Sequence, residues 1–269
     1  NFKEVDNRLI SLTLVKEGMT DGVIFTPDGV NHQPSDILHK KNILALRGSF
    51  RPVTKVNIDM LKNGLKKFTE NTRVKKENIQ LIFEITLSNL KADGEVDEQD
   101  FLDRVDILCS LGYTVMISNF KKYYKIIEYL SQFSDARMGL IIGVDNLIEL
   151  FEEKYYRNLN GGILEAFGII FTRDIKIYLY PFKPSDDSEL LNSHNIPIHP
   201  RIKALYQYLF TNKRIEDLDY NEKILKIFSR DVLRLIKDNK EGEWEDMVPE
   251  GVDEIIKERC LFGYNCEIN

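Results

Sequence analysis

The chain has 269 residues, with 37 Lys and Arg against 43 Asp and Glu, and carries a formal net charge of −6. Its length suits one large domain or two small ones, and its ordinary balance of apolar and charged residues excludes a collagen, a coiled-coil rod and a disordered tail. The acidic balance argues against a nucleic-acid partner, and no apolar run reaches the roughly 18 residues that a membrane span needs.

The elements predicted in chain order alternate between short β-branched runs and longer helical segments, which indicates an α/β fold with a mainly parallel sheet. Strands are predicted at residues 9–15, 22–27, 43–46, 114–117, 137–143 and 175–180. Helical spacing predicts helices at residues 57–68, 76–111, 121–133 and 144–156, in a segment that begins at 161–162, and from 201 onward. The predicted helix at 76–111 has a break at 92–94, and residues 183–200 are predicted to be a loop.

The cysteines favour a reducing, cytoplasmic setting. There are three, Cys109, Cys260 and Cys266, and no pair has the spacing of zinc ligands. A disulfide framework is not expected in a chain of this length, and no metal site is expected from the cysteines and histidines. The chain begins Asn-Phe-Lys-Glu without a Met, so we expect a trimmed or internal piece of a longer protein.

Three junctions between strands and helices are candidate ligand sites, because open α/β sheets bind ligands at the carboxyl ends of their parallel strands. The first is residues 48–57 (GSFRPVTKVN), which join a strand to a helix. The second is the strand end at 141–147 (IIGVDNL), and the third is the helix start at 227–234 (IFSRDVLR). A glycine-containing turn that leads into a helix presents backbone N–H groups to an anion.

These three segments, in this order, resemble the motifs of the nucleotidyltransferase superfamily, in particular of the nicotinate or nicotinamide mononucleotide and phosphopantetheine adenylyltransferases. Residues 247–250 (MVPE) and 255–259 (IIKER) extend the resemblance to the end of the late motif. It implies a Rossmann-like domain, with a mainly parallel sheet and helices on both faces. We expect that domain at 43–269, with a helical insertion at about 76–112 and a helical C-terminus. Residues 1–42 are predicted to be an extension whose strand pair packs on it.

The resemblance implies that the protein would transfer AMP from ATP to nicotinate or nicotinamide mononucleotide, a step of NAD biosynthesis, with Mg²⁺ on the leaving pyrophosphate. Its partners would be small nucleotides, and a homo-oligomer is left open. The resemblance implies catalytic roles for Arg51, Thr54, Lys55, Asn57 and Arg230, and nucleotide-binding roles for Gly48, Ser49, Phe50, Gly143, Asp145 and Ser229.

The sequence departs from the motifs at positions that carry charge in the family. Asn57 stands at the second histidine position, Val56 at the glycine before it, and Leu233 at the final arginine, while Thr54 stands at the first histidine position, where the phosphopantetheine branch also allows a threonine. One hypothesis is that nearby cations, among them Arg51, replace the lost charges. The alternative is a catalytically inactive relative with a degenerate active site, which acts as a nucleotide sensor or as an interaction scaffold.

Plainer interpretations of the same residues also stand. Residues 48–57 would then be an ordinary turn with solvated cations, and Asp145 and Ser229 would be helix N-caps. The acidic stretch at 93–106 is interpreted as a turn and a solvated helix face. The tyrosines at 123–129 and 155–156 are interpreted as core residues and their rim.

Overall fold

The computed structural model describes residues 6–71, 74–92, 94–185 and 187–266. The strands are β1 Gly22–Phe25, β2 Asn31–His32, β3 Asn42–Arg47, β4 Ile79–Thr86, β5 Lys91–Ala92, β6 Glu95–Val96, β7 Thr114–Ser118, β8 Met138–Gly143, β9 Ile175–Tyr180 and β10 Ile215–Asp217. The α-helices are α1 Asn7–Lys16, α2 Pro34–Leu38, α3 Lys55–Thr69, α4 Leu87–Leu90, α5 Glu98–Ser110, α6 Tyr123–Leu130, α7 Val144–Leu150, α8 Gly162–Ile170, α9 Lys203–Thr211, α10 Ser229–Lys237 and α11 Val252–Arg259.

Eight strands form one mixed sheet in the order β10-β9-β8-β3-β4-β7-β1-β2. The six strands from β10 to β7 are parallel, while β1 pairs antiparallel with β7 and β2 pairs antiparallel with β1. Numbered along the chain, the six parallel strands lie in the order 3-2-1-4-5-6, which is the order of the dinucleotide-binding fold. The predicted Rossmann-like α/β fold is therefore confirmed, and its strand order reverses between β3 and β8.

The sheet is covered on both faces, and the sequence of β3 shows why. Leu44 and Leu46 belong to one buried cluster with α3, α5 and α10, whereas Ile43 and Ala45 belong to a second cluster with α6 and α8. Successive side chains of a strand point to opposite faces, so a strand buried between two helical layers must be apolar at every position. The run Ile-Leu-Ala-Leu meets that requirement.

The prediction of a strand at residues 9–15 is wrong, because α1 occupies this segment. The carboxylate of Asp6 accepts a hydrogen bond from the backbone N–H of Arg8 (2.9 Å) and so caps the helix. Leu12 and Val15, three residues apart, are fully buried, as expected for the inner stripe of a helix. The N-terminal strand pair does exist, but it consists of β1 and β2.

The prediction of helix throughout residues 76–111 is also wrong. Residues 79–86 form β4, which lies in the middle of the sheet between β3 and β7, and only the last third of the segment is the helix α5. A short apolar run that is buried on both faces lacks the alternation that identifies a strand, so it resembles a buried helix. The break expected at 92–94 includes residue 93, which lies outside the described residues. A further strand, β10, extends the sheet beyond the last predicted strand.

The expectation against disulfides is wrong for one pair, since Cys260 and Cys266 are bonded, with their Cα atoms 5.8 Å apart. Cys260 ends α11 with a φ of 54°, and the tight turn that follows brings the chain back to Cys266. Cys109 is free and buried. In the described ranges, no helix is both long enough and apolar enough to cross a membrane.

Candidate functional site

The three predicted junctions meet at the carboxyl edge of the sheet. Residues 48–54 follow β3, and α7 follows β8, the parallel neighbour of β3. Ser229 begins α10, and its hydroxyl donates a hydrogen bond to the carbonyl oxygen of Pro52 (2.9 Å) rather than capping its own helix. The fold thus places all three segments around the point where the strand order reverses.

The turn after β3 is built around Gly48 and Phe50. The backbone N–H of Gly48 donates to the carbonyl oxygen of Glu84 (3.1 Å). Phe50 has a φ of 47°, and its buried ring packs edge-on against Phe83 with the ring centroids 4.9 Å apart. A Cβ atom on Gly48 would lie 2.8 Å from the Phe50 ring, so glycine is required here. Within the described ranges, the N–H groups of Ser49 and Phe50 have no acceptor.

Thr54 and Asn57 are bonded to each other at the start of α3. The Asn57 side-chain oxygen accepts hydrogen bonds from the Thr54 N–H (2.9 Å) and from the Thr54 hydroxyl (3.0 Å). Thr54 is only 1% exposed. The two residues at the family's histidine positions therefore close the N-terminus of a helix, in the manner of a capping box.

Arg51 is held by α5. Its Nε donates to the Asp100 carboxylate (2.5 Å), which also forms an ion pair with Arg104. Asp100 and Asp103 are each 4% exposed, and Arg104 is 1% exposed. The interpretation of this acidic stretch as a solvated helix face is therefore wrong at these positions, because the arginines neutralise Asp100 inside the protein and Asp103 accepts hydrogen bonds of its own. Burial raises the pKa of Asp103.

The other two predicted cations lie nearer to solvent. The Lys55 ammonium is 3.9 Å from the Asp246 carboxylate. Arg230 is exposed in the first turn of α10, and its guanidinium carbon lies 5.1 Å from the centroid of the Phe228 ring. Neither is in the wall of the cavity described next.

A cavity of about 520 Å³ opens at the carboxyl ends of β3, β4, β7 and β8. Its wall consists of Arg47, Gly48, Ser49, Thr86, Ser88, Asn89, Lys121, Lys122, Tyr123, Asn146, Glu149, Leu150, Tyr155 and Tyr156. Two of the predicted nucleotide-binding residues, Gly48 and Ser49, are in this wall. Gly143 is the N-cap position of α7, and Asp145 is exposed in its first turn, beside the wall residue Asn146.

Arg47, in the cavity wall, forms a buried ion pair with Glu84, which is not itself part of the wall. Glu84 is fully buried and accepts from Arg47 through both carboxylate oxygens, with 2.9 Å between Nη2 and Oε1. The Ser118 hydroxyl donates to the same carboxylate. The Arg47 guanidinium carbon also lies 4.5 Å from the centroid of the Tyr123 ring. Burial raises the pKa of the Tyr123 phenol to about 12. Tyr123 is therefore neutral at physiological pH.

Lys121 and Lys122 give the cavity its available positive charge. The Lys122 ammonium lies 3.9 Å from the centroid of the Tyr155 ring, and in the described part of the chain no carboxylate lies within 4.0 Å of it. Burial lowers the pKa of Lys122, partly offset by the charge of Glu149. Lys121 is exposed at the rim. A half-buried ammonium over an aromatic face, with no carboxylate partner, suits an incoming anion.

The sequence analysis does not identify several of these residues as part of the site, although some of them lie in recognisable sequence patterns. Glu84 interrupts an apolar run, which is typical of a charge that is paired in the interior. Asp100 and Arg104 have the i, i+4 spacing of a helical ion pair. Three residues separate Lys121 and Lys122 from the predicted strand at 114–117, near the edge where ligands bind. Among the described residues, no group of three His, Cys, Asp or Glu side chains could hold a metal ion.

Neither a protein-family model nor a curated protein sequence matches the chain. It is similar to two solved structures of Plasmodium falciparum nicotinic acid mononucleotide adenylyltransferase, complexed with APC and with NaAD. Each covers 84% of this chain and 99% of its own, at 12% and 14% identity and with TM-scores of 0.48 and 0.49. The assignment of the fold rests on the strand order of this chain itself.

Proposed function

We propose that this chain binds a nucleotide in the cavity at the reversal of the strand order and, with ATP, transfers AMP to a mononucleotide. Nicotinate and nicotinamide mononucleotide are the acceptors that the sequence resemblance implies. The observation that carries the proposal is the cavity wall, which contains the Lys122 ammonium, the turn at Ser49 and the ring of Tyr155, with no carboxylate of the described residues within 4.0 Å of that ammonium. Phosphate, ribose and base need cations, polar groups and an aromatic surface, respectively.

In the proposed reaction, a phosphate oxygen of the acceptor attacks the α-phosphorus of ATP, the bond from that phosphorus to the bridging oxygen breaks, and pyrophosphate leaves. The N–H groups of Ser49 and Phe50 donate to phosphate oxygens, and Lys122 neutralises charge. Mg²⁺ would enter with ATP, and Glu149 is the exposed carboxylate in the wall that would bind it. When bound, Mg²⁺ neutralises the leaving pyrophosphate.

A second candidate is a relative that binds a nucleotide without turning it over. Two observations favour it: Thr54 and Asn57 are bonded to each other, and Arg51 is bonded to Asp100. Side chains that already have protein partners must give them up before they can contact a phosphate. Such a protein would report nucleotide levels or present a surface to a partner.

We also propose that the protein works in the cytoplasm on small nucleotides rather than on nucleic acids. Its net charge of −6 would repel a polyanion. The bonded pair of Cys260 and Cys266 offers a test of the compartment. In a reducing cytoplasm both thiols should be alkylated in rapidly quenched cells, whereas persistent protection of both would contradict this setting.

Titration calorimetry with ATP, nicotinate mononucleotide, nicotinamide mononucleotide and NAD tests binding, and a pyrophosphate-release assay tests turnover. Binding with turnover supports the transferase, and binding without turnover supports the inactive relative. Absence of binding to all four nucleotides would refute both. If turnover is found and these cations replace the lost charges, Arg51→Ala and Arg230→Ala should each lower it about tenfold or more through loss of charge-assisted phosphate contacts. Unchanged turnover in both variants would refute the replacement of lost charges by these cations.

Lys122→Met gives the sharper test, because methionine keeps the apolar stem over Tyr155 and removes only the charge. We expect the dissociation constant for ATP to rise at least about tenfold, as for a lost charge-assisted hydrogen bond. Lys62→Met, at an exposed position of α3, is the matched control and should leave it unchanged. Because burial lowers the pKa of Lys122, wild-type affinity should fall with rising pH before an ordinary lysine would lose its charge.

A further inference from the structure

Helix α5 presents a buried ion pair to the turn after β3. Arg104 donates from Nη1 to the carbonyl oxygens of Ser49 (3.0 Å) and Asn89 (2.7 Å), and from Nη2 to Asp100. Asp100, one helical turn earlier, binds Arg51 with its other oxygen. The Arg104 guanidinium and the Asp100 carboxylate thereby contact the turn at Ser49 and at Arg51.

These contacts fix the direction of the two N–H groups that have no acceptor. The peptide group is planar and trans, so the carbonyl of Ser49 and the N–H of Phe50 lie in one plane and point in opposite directions. Arg104 holds that carbonyl. In the same way, the Asn89 side chain donates to the carbonyl of Gly48 (3.2 Å), and this sets the N–H of Ser49. Arg104 also holds the backbone carbonyl of Asn89, so it acts on both peptide planes.

The energetics indicate that this pair does more than fill space. Arg104 is 1% exposed and Asp100 is 4% exposed, and taking both charges out of water costs several kcal/mol for each ion. A pair of apolar side chains of similar volume would often stabilise the protein as well or better. Apolar side chains cannot donate hydrogen bonds to the backbone carbonyls of Ser49, an exposed residue of the turn, and of Asn89, in α4.

We infer that Arg104, with Asp100 as its counter-ion, is a positioning residue that orients the N–H groups of Ser49 and Phe50 as donors for an anionic phosphate group. This inference rests on the proposed nucleotide-binding function. Arg104 itself is buried, and in the described ranges its guanidinium donates hydrogen bonds to Ser49, Asn89 and Asp100. It acts on the ligand through the backbone, by keeping two donors fixed before the ligand arrives.

The test compares Arg104→Lys and Arg104→Met with Arg137→Met. Arg137 is the matched control because it is also a buried arginine, is paired with Asp174 (2.9 Å), and lies at the opposite edge of the sheet, just before β8. Lysine at position 104 keeps the charge beside Asp100, so this variant folds even if the methionine variant does not. A single ammonium cannot reproduce the planar, forked contacts of a guanidinium.

The primary measurement is the ¹⁵N order parameter of the Ser49 and Phe50 amides, which needs no ligand. We expect values near the rigid limit of about 0.85 in the wild type and below about 0.6 in both Arg104 variants. Arg137→Met should leave them unchanged while it lowers the free energy of unfolding. The second measurement is the dissociation constant for ATP and for inorganic pyrophosphate, which should rise at least about tenfold in the Arg104 variants only.

Unchanged order parameters in Arg104→Lys, or an equal decrease in Arg137→Met, would overturn the orienting function. Lower order parameters with unchanged dissociation constants for ATP and pyrophosphate would show that the oriented N–H groups do not bind the phosphate, and would overturn that part of the inference. If the wild type binds neither ATP nor pyrophosphate, the proposed nucleotide-binding function fails, and the order parameters still decide separately whether Arg104 fixes the turn.

Discussion

Replacing one member of the buried pair Arg47–Glu84 should be far more damaging than replacing both. The Glu84 side chain is 0% exposed, and the Arg47 side chain is 9% exposed. Glu84→Leu leaves a guanidinium buried without its counter-ion, and Arg47→Met leaves a carboxylate in the same state. We expect each single variant to lose about 3–5 kcal/mol of the free energy of unfolding.

The separation of the charges supports this magnitude. At 2.9 Å between Nη2 and Oε1, the attraction is about 6 kcal/mol for an effective dielectric constant of about 20. Most of that attraction is offset by the cost of desolvation, which the surviving charge still bears after its partner is removed. The double variant Arg47→Met/Glu84→Leu removes both costs together. Its loss should therefore be at least about 2 kcal/mol smaller than the two single losses combined.

Urea unfolding followed by fluorescence measures these differences, since Trp244 is the single tryptophan and is fully buried. Asp219→Ala is the control, because the pair Lys66–Asp219 is exposed on both sides, and it should cost no more than about 1 kcal/mol. Losses below about 1 kcal/mol in both single variants at Arg47 and Glu84, or strict additivity in the double variant, would refute the reasoning.

Two further predictions concern packing and the free thiol. Gly64→Ala should destabilise the protein by about 1–3 kcal/mol in urea unfolding, because its Cβ would lie 2.3 Å from the Ile141 Cδ1 atom, whereas Gly168→Ala, with nothing within 4 Å, should be neutral or stabilising. A Gly64→Ala variant as stable as the wild type would contradict the close contact of α3 with the sheet. Burial raises the pKa of Cys109 from 9.0 to about 11, so the folded protein keeps this thiol protonated to a higher pH than the unfolded chain does. The contribution of the neutral thiol to the free energy of unfolding is therefore complete below pH 9 and is lost as the pH rises toward 11. Its alkylation at pH 8 should accompany unfolding, and rapid alkylation of the folded protein would contradict this.

The sequence predicts the central strands well where local information suffices. The runs that become β3 and β8 are short, apolar and bounded by polar residues, and each leads into one of the motif segments. Asp6 before residues 7–16 was a usable signal for a helix N-cap, yet the β-branched composition of that segment suggested a strand. Residues 79–86 could not be assigned locally, because a fully buried strand has no polar face.

The candidate site was harder to predict than the fold, because its contacts join distant parts of the chain. Glu84 lies 37 residues from Arg47, and Arg104 lies 55 residues from Ser49. No local pattern specifies such pairs. The spacing of Asp100 and Arg104 predicts an ion pair but not its burial, which depends on the turn that packs over it.

The residues at the motif positions already have partners within the protein, and this determines which cation of the site is available to a ligand. Thr54 and Asn57, at the positions of the histidines in the motifs that the sequence resembles, close α3 by bonding to each other. The cation Arg51, the nearest substitute, is neutralised by Asp100. Lys122 has no carboxylate within 4.0 Å in the described part of the chain, and it lies in the same cavity wall as Ser49 of the turn. Because a phosphate binds where positive charge is available, the ligand should lie on the Lys122 side of the turn, and its affinity should depend more on Lys122 than on Arg51.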